Sequence, residues 1–157
     1  MPNDSAFTFS RFISTISRCG QIYFDRKLRP ANIGAGQVRI LRTLAVQDGI
    51  SQERIRALFH LDKGTVAKTI KPLLREGYVQ REKNPEDQRA YRIFLTEKGR
   101  GILPMLKETI RQWSDILTAG FSAEEKRAAN DLLLRMSENA RNHLRNKASA
   151  RQGGALK

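Results

Sequence analysis

Lys68, Lys71 and Arg75 follow Gly64 at steps of four, three and four residues, the spacing that stacks side chains on one face of an α-helix. Val66, Ile70, Leu73 and Leu74 occupy the other face at i, i+4, i+7 and i+8, a single core stripe. Three cations opposite an apolar stripe match a polyanion, although a merely solvated helix shows the same pattern. Thr65 and Thr69 flank the face, where a hydroxyl can donate to phosphate or touch a thymine methyl.

Other chemistries find no residues to carry them. Cys19 is the single cysteine, so no internal disulfide and no CxxC zinc pair can form, and His60 and His143 lie far apart without ligand-spaced companions. There is no Gly-rich phosphate loop, GxSxG elbow or HExxH helix. No enzyme, metal or cofactor is therefore expected. No run of about 20 apolar residues occurs, which argues against a transmembrane helix. The polar start, interrupted by Arg11 and Arg18, does not read as a secretory signal. A cytoplasmic protein with no membrane partner is expected.

Charge points the same way as the helix face. The 157 residues carry 29 Lys and Arg against 16 Asp and Glu, a formal charge of +13, and a pI near 10.6, the footprint of a nucleic-acid binder. Its distribution matters more. Residues 51–100 hold 12 basic and 7 acidic groups, and residues 141–157 hold 5 and none. Residues 101–140 are nearly neutral, with 5 and 6, as an oligomerisation element would be.

The elements that must position the cationic face read as follows. Phe9, Phe12, Ile13, Ile16, Cys19 and Tyr23 form one stripe of a first helix from Ala6 to about Leu28, broken by Pro30 and residues 32–36. A second helix runs from about Gln37 to Gln47, with Val38, Leu41, Leu44 and Ala45 inward. Ser51 caps a short third helix with Ile55, Leu58 and Phe59 inward, His60-Leu61 turns the chain, and Asp62 caps the fourth. Gly77 ends that helix. The period then changes from helical to alternating. Tyr78–Lys83 and Tyr91–Thr96 read as strands around a tip at residues 84–88. Thr96 caps a fifth helix carrying Ile102, Leu103, Leu106, Ile110, Trp113 and Leu117, in which Pro104 predicts a bend or a late start. Ser122 and Glu125 form a capping box for a sixth, with Ala129, Leu132, Leu133, Met136, Ala140 and Leu144 as its stripe. The tail from Lys147 lacks apolar periodicity and is expected to be disordered.

Two helices, a tight turn and then a hairpin make the winged helix-turn-helix order. The fold class expected is mainly α, with a two-stranded wing flanked by N- and C-terminal dimerisation helices. Residues 1–33 would be the first of these, 34–100 the DNA-binding segment, 101–146 the C-terminal pair and 147–157 the basic tail. One helix would enter the major groove of double-stranded DNA, about 12 Å wide, while its partner helix and the hairpin brace it on the phosphates. An architectural or RNA-associated protein could use the same frame without operator specificity.

The residues also resemble a known family. Asp62-Lys63-Gly64-Thr65-Val66-Ala67-Lys68 and Leu73-Leu74-Arg75-Glu76-Gly77-Tyr78-Val79-Gln80-Arg81 look like the recognition helix and first wing strand of MarR regulators. Asp87-Gln88-Arg89, followed by Leu95-Thr96-Glu97-Lys98-Gly99, is similar to that family's wing signature, and Gly36-Gln37 and Gly49-Ile50-Ser51-Gln52 fit upstream. The resemblance implies a homodimer built from the first, fifth and sixth helices, repressing from a palindromic operator. It also implies relief by a small anionic or phenolic effector, or by an oxidant. Asp87 would pair with Arg89 and aim it into the minor groove, where negative potential favours Arg. The DNA-facing set expected is Ser51, Gln52, Lys63, Thr65, Lys68, Thr69, Lys71, Asp87 and Arg89.

Two residues depart from the family pattern. Gly64 stands where a hydroxyl residue is common, removing one phosphate contact. Pro72 deletes the N–H that would bond the Lys68 carbonyl, and a kink there should tilt Arg75 from the groove, leaving Thr65, Lys68 and Thr69 as the readers. Cys19, in the second half of the first helix, is expected to be a small hydrophobe in a dimer interface rather than a peroxide sensor.

Overall fold

The computed structural model describes the backbone of residues 5–85 and 87–153, and the side chains of residues 8–85, 87 and 90–144. Its elements follow the apolar periodicities. They are α1 (Ser5–Lys27), a short 3-10 turn (Arg29–Ala31), α2 (Ala35–Val46), β1 (Ile50–Ser51), α3 (Gln52–Phe59), α4 (Lys63–Arg75), β2 (Val79–Asn84), β3 (Asp87–Leu95), α5 (Glu97–Leu117) and α6 (Ala123–Gly153). The protein is mainly helical with one small antiparallel sheet, in the order β1-β3-β2. The wing thus gains a third strand, two residues long, at its root.

The described residues up to Trp113 form one compact unit and those from Ser114 onward a second. In the first, Leu41, Leu44, Ile55, Val66, Ile70, Leu73, Val79, Ile93, Leu95 and Leu106 meet in a single core. Fully burying one such side chain stabilises by roughly 1.5–3 kcal/mol, so this core fixes the orientation of α4. Ile40 is buried where Ala45 was expected to be, and Leu58 is exposed. Trp113 stacks on Tyr23 of α1, with ring centroids 5.2 Å apart. It therefore packs within its own chain. Gly20 lies beneath this ring, where a Cβ would make ordinary van der Waals contact with it at 3.4 Å.

The strands meet in the register Val79↔Leu95, Arg81↔Ile93 and Lys83↔Tyr91, which then shifts so that Asn84 faces Asp87. The extra residues, 88–90, belong to β3. That strand consequently starts four residues before the expected Tyr91. A bulge of this kind bends a strand and re-aims its side chains.

Helix α5 begins at Glu97, so Pro104 does not delay it. Thr96 Oγ1 accepts from Gly99 N at 3.0 Å and donates to the Gly77 carbonyl at 2.6 Å, tying the end of the wing to the end of α4. Gly99 is packed so closely that a Cβ would collide with the Tyr78 carbonyl oxygen. In the second unit, Gly120 turns the chain at φ +82°. The capping box forms with Ser122 N donating to Glu125 Oε2 at 2.7 Å and Glu125 N to Ser122 Oγ at 3.2 Å. Helix α6 continues through residues 147–153 of the segment expected to lack order, where Ala148 and Ala150 favour helix.

Candidate nucleic-acid interface

The reading helix is set by its two ends. Asp62 Oδ1 accepts from Thr65 N at 2.9 Å, satisfying a donor that α4 would otherwise leave orphaned. The Thr65 hydroxyl, and then its N–H, hold the Asp62 carboxyl below the usual carboxylate range. Before it, His60 adopts φ 50° and ψ 42°, the left-handed turn between the two helices. Ser51 caps α3 as its type suggests, its Oγ accepting from Arg54 N at 3.0 Å.

With Val66, Ile70 and Leu73 buried, α4 exposes Lys63, Gly64, Ala67, Lys68, Lys71 and Arg75 on one side. Among the described residues Lys63, Lys68 and Lys71 enter no ion pair. Arg75 does, at 3.0 Å from Glu76, so its charge is turned along the helix end rather than left open. The helix runs unbroken through Pro72. Thr65 and Thr69 are half-buried, and both hydroxyl protons are spent within the helix. Thr65 Oγ1 donates to Asp62 Oδ2 at 2.5 Å and Thr69 Oγ1 to the Thr65 carbonyl at 2.8 Å. Both oxygens remain acceptors, so donation by these threonines to phosphate requires a change of partner.

Ser51, Gln52, Lys63 and Asp87 are brought together, lining one cleft of about 660 Å³ between the start of α3, the start of α4 and the wing. Lys68, Thr69 and Lys71 lie along α4 beyond it. The backbone of Arg89 falls in the bulged stretch of β3, and its side chain lies outside the described residues. Asp87 is exposed and is not free of partners.

Two residues outside the expected set organise this region. Arg81 lines the same cleft with its guanidinium carbon 4.8 Å from the Tyr91 ring centroid, a diagonal contact legible only once the strand register is known. Asp48 joins three elements. Its Oδ1 accepts from Gly49 N at 3.1 Å and Leu95 N at 2.9 Å, and its Oδ2 meets Arg100 at 2.8 Å. Nearby, Arg92 Nε donates to the Gly49 carbonyl at 2.5 Å, and the Phe94 ring closes over Gly49, which sits at φ +71°. No group of His, Cys, Asp and Glu that could hold a metal occurs among the described residues. Nor is any helix among them long and apolar enough to cross a membrane.

A helix-turn-helix with an unpaired cationic face, braced by a three-stranded wing, defines a winged-helix DNA-binding protein. The MarR family model matches residues 33–91, the stretch that holds this site. The chain is 32% identical over 110 residues to the HTH-type transcriptional regulator YdgJ of Bacillus subtilis, covering 70% of this chain and 67% of that protein. A MarR transcriptional regulator from Methanosarcina mazei is 40% identical, with a TM-score of 0.82 over 85% of this chain and 96% of that one. A MarR family regulator from Listeria monocytogenes, solved with a 26mer DNA, shares the fold at 24% identity and a TM-score of 0.77, covering 85% and 89%. The chain belongs to the MarR family of transcriptional regulators. It is a DNA-binding regulator and not an enzyme.

Proposed function

We propose that this protein is a homodimeric repressor that binds a palindromic operator in the cytoplasm and is released by a small effector. The exposed and unpaired Lys63, Lys68 and Lys71, backed by the buried Val66, Ile70 and Leu73, carry the DNA reading. In this reading α4 enters the major groove, α3 braces it through Ser51 and Gln52, and Asp87 and Arg89 place the wing in the adjacent minor groove. Residues 34–100 are the DNA-binding segment, residues 1–33 and 101–146 make the dimer, and the basic segment 147–157 adds charge.

Exposed apolar surface supports the dimer. Phe9, Phe12, Ile13 and Ile16 of α1 are exposed, with Phe9 at 56%, and so are Leu132, Leu133 and Leu134 of α6, with Leu133 at 57%. Monomers rarely leave contiguous apolar patches beyond a few hundred Å². Cys19 is on α1 as well, and the proposed role for it is packing in that interface. For the effector, a cleft of about 630 Å³ between α2 and α5 combines Leu103, Pro104 and Ile110 with Arg42, Arg100 and Lys107. An apolar wall with a cationic rim suits a small anionic or phenolic compound.

Selection of bound fragments from the host genome tests the central claim. One enriched palindrome, bound roughly 10³-fold or more above nonspecific DNA at physiological salt, is the expected result. Uniform recovery of fragments, or equal affinity for RNA, would instead establish an architectural or RNA-associated protein.

A further inference from the structure

A helix seated in the major groove and a wing seated in the neighbouring minor groove have one sugar-phosphate strand between them, because that strand is what separates the two grooves. The protein must therefore offer that strand a channel between helix and wing. The cleft of about 660 Å³ between the start of α4 and the wing lies there.

Of its lining side chains, Arg81 has the chemistry of a phosphate ligand. It is exposed, and among the described residues it makes no hydrogen bond or ion pair, so the donors of its guanidinium are all open. Its guanidinium carbon lies 4.8 Å from the centroid of the Tyr91 ring. Strand alternation puts Arg81 on the face of β2 that carries buried Val79. Glu82 is on the opposite face, where it accepts from Gln80. A planar guanidinium resting on an aromatic ring is already ordered, so little side-chain entropy remains to be lost when a phosphate arrives. The acids of the cleft do not cancel it. Both Glu53 oxygens accept from Arg56 Nε at 3.0 Å, and Asp87 has a partner of its own. Lys63 adds a second cation on the α4 side, exposed and in no ion pair among the described residues, though close enough to Glu53 to favour that carboxylate's charged form.

We propose that Arg81, held on Tyr91, grips the phosphate strand that passes between the two grooves, opposite Lys63. This rests on the reading above, in which α4 and the wing occupy adjacent grooves.

The test is operator binding by the full-length protein as a function of salt, combined with duplexes carrying one neutral methylphosphonate at each position in turn. Arg81→Gln should weaken binding about tenfold and flatten the log–log salt slope by about one. Arg81→Lys should keep the slope and recover part of the affinity. Tyr91→Leu should weaken binding several-fold with the slope unchanged, because the charge remains but its order is lost. For the wild type, one methylphosphonate between the helix-contacted and wing-contacted bases should be costly, and that cost should vanish in Arg81→Gln. The proposal is overturned if Arg81→Gln binds like wild type, or loses affinity with no change in slope while its melting temperature falls. Lys68→Ala and Arg89→Ala separate the two levels. If both weaken binding while Arg81→Gln does not, only the clamp is wrong, and if neither weakens binding the groove assignment itself fails.

Discussion

Asp87 and Asp62 are both acidic residues beside the cationic face of α4; Asp62 caps that helix, and the role proposed for Asp87 is to orient Arg89. Simple electrostatics predicts tighter binding when Asp87 is removed. If Asp87 instead orients Arg89, Asp87→Ala weakens operator binding at moderate salt. Arg89→Ala weakens it by about 1–3 kcal/mol and lowers the salt slope by about one. Titration of labelled operator at several salt concentrations reads both effects, and a tighter Asp87→Ala complex would rule out the pairing. Asp62 acts on stability as well. Its folded-state pKa is depressed by the Thr65 hydroxyl and N–H. The stabilisation is therefore present above the ordinary carboxylate range and is lost as pH falls through the lower folded value. Asp62→Asn, which keeps a cap acceptor but cannot ionise, should flatten the acid limb of the melting-temperature profile below about pH 4. A profile unchanged from wild type would mean that the Thr65 contacts do not favour the charged form.

At the level of elements, the recognition helix is held by contacts at both ends and by Gly99 beneath the α4–β2 turn. Gly99→Ala must push the Tyr78 carbonyl aside, and overpacking of this sort costs about 1–3 kcal/mol. Chemical denaturation should show the lowered midpoint with an unchanged m-value. A variant as stable as wild type would show that the α4–β2 turn can yield freely. The element types were readable from periodicity and caps, because Ser51, Asp62, Thr96 and Ser122 each precede an apolar stripe and each accepts the expected N–H. What stayed hidden was cross-chain pairing. A two-residue strand such as β1 has no period to detect, and the start of β3 depends on a bulge. The roles of Arg81 and Asp48 arise from residues brought near by the register and by the α2–α5 arrangement, neither of which is written in local spacing. The partners of the threonine hydroxyls were also not anticipated, each lying three or four residues back along the chain.

For the whole molecule, the exposed apolar face of α1 and the leucines of α6 set the expected assembly. Sedimentation at micromolar concentration should show a dimer, and Phe12→Asp with Leu133→Asp should shift it toward monomer. A palindrome is bound through two half-sites, so the same double variant should lose operator affinity far more than affinity for a single half-site. A wild-type monomer at that concentration would remove the dimer from the proposed function. A dimeric double variant would move the interface to other surfaces.

The short β1 strand has a consequence for how the protein folds. Ile50 and Ser51 pair with Ile93 and Arg92, so the helix-turn-helix and the first wing strand are all enclosed in the loop that this contact closes. The helices inside can form from local contacts on a fast timescale, whereas the loop must lose entropy before β1 and β3 reward it. A refolding chain should then regain its far-UV helical signal before it can bind DNA. The delay belongs to a two-residue strand, and lengthening the wing tip should extend it without slowing the helical phase.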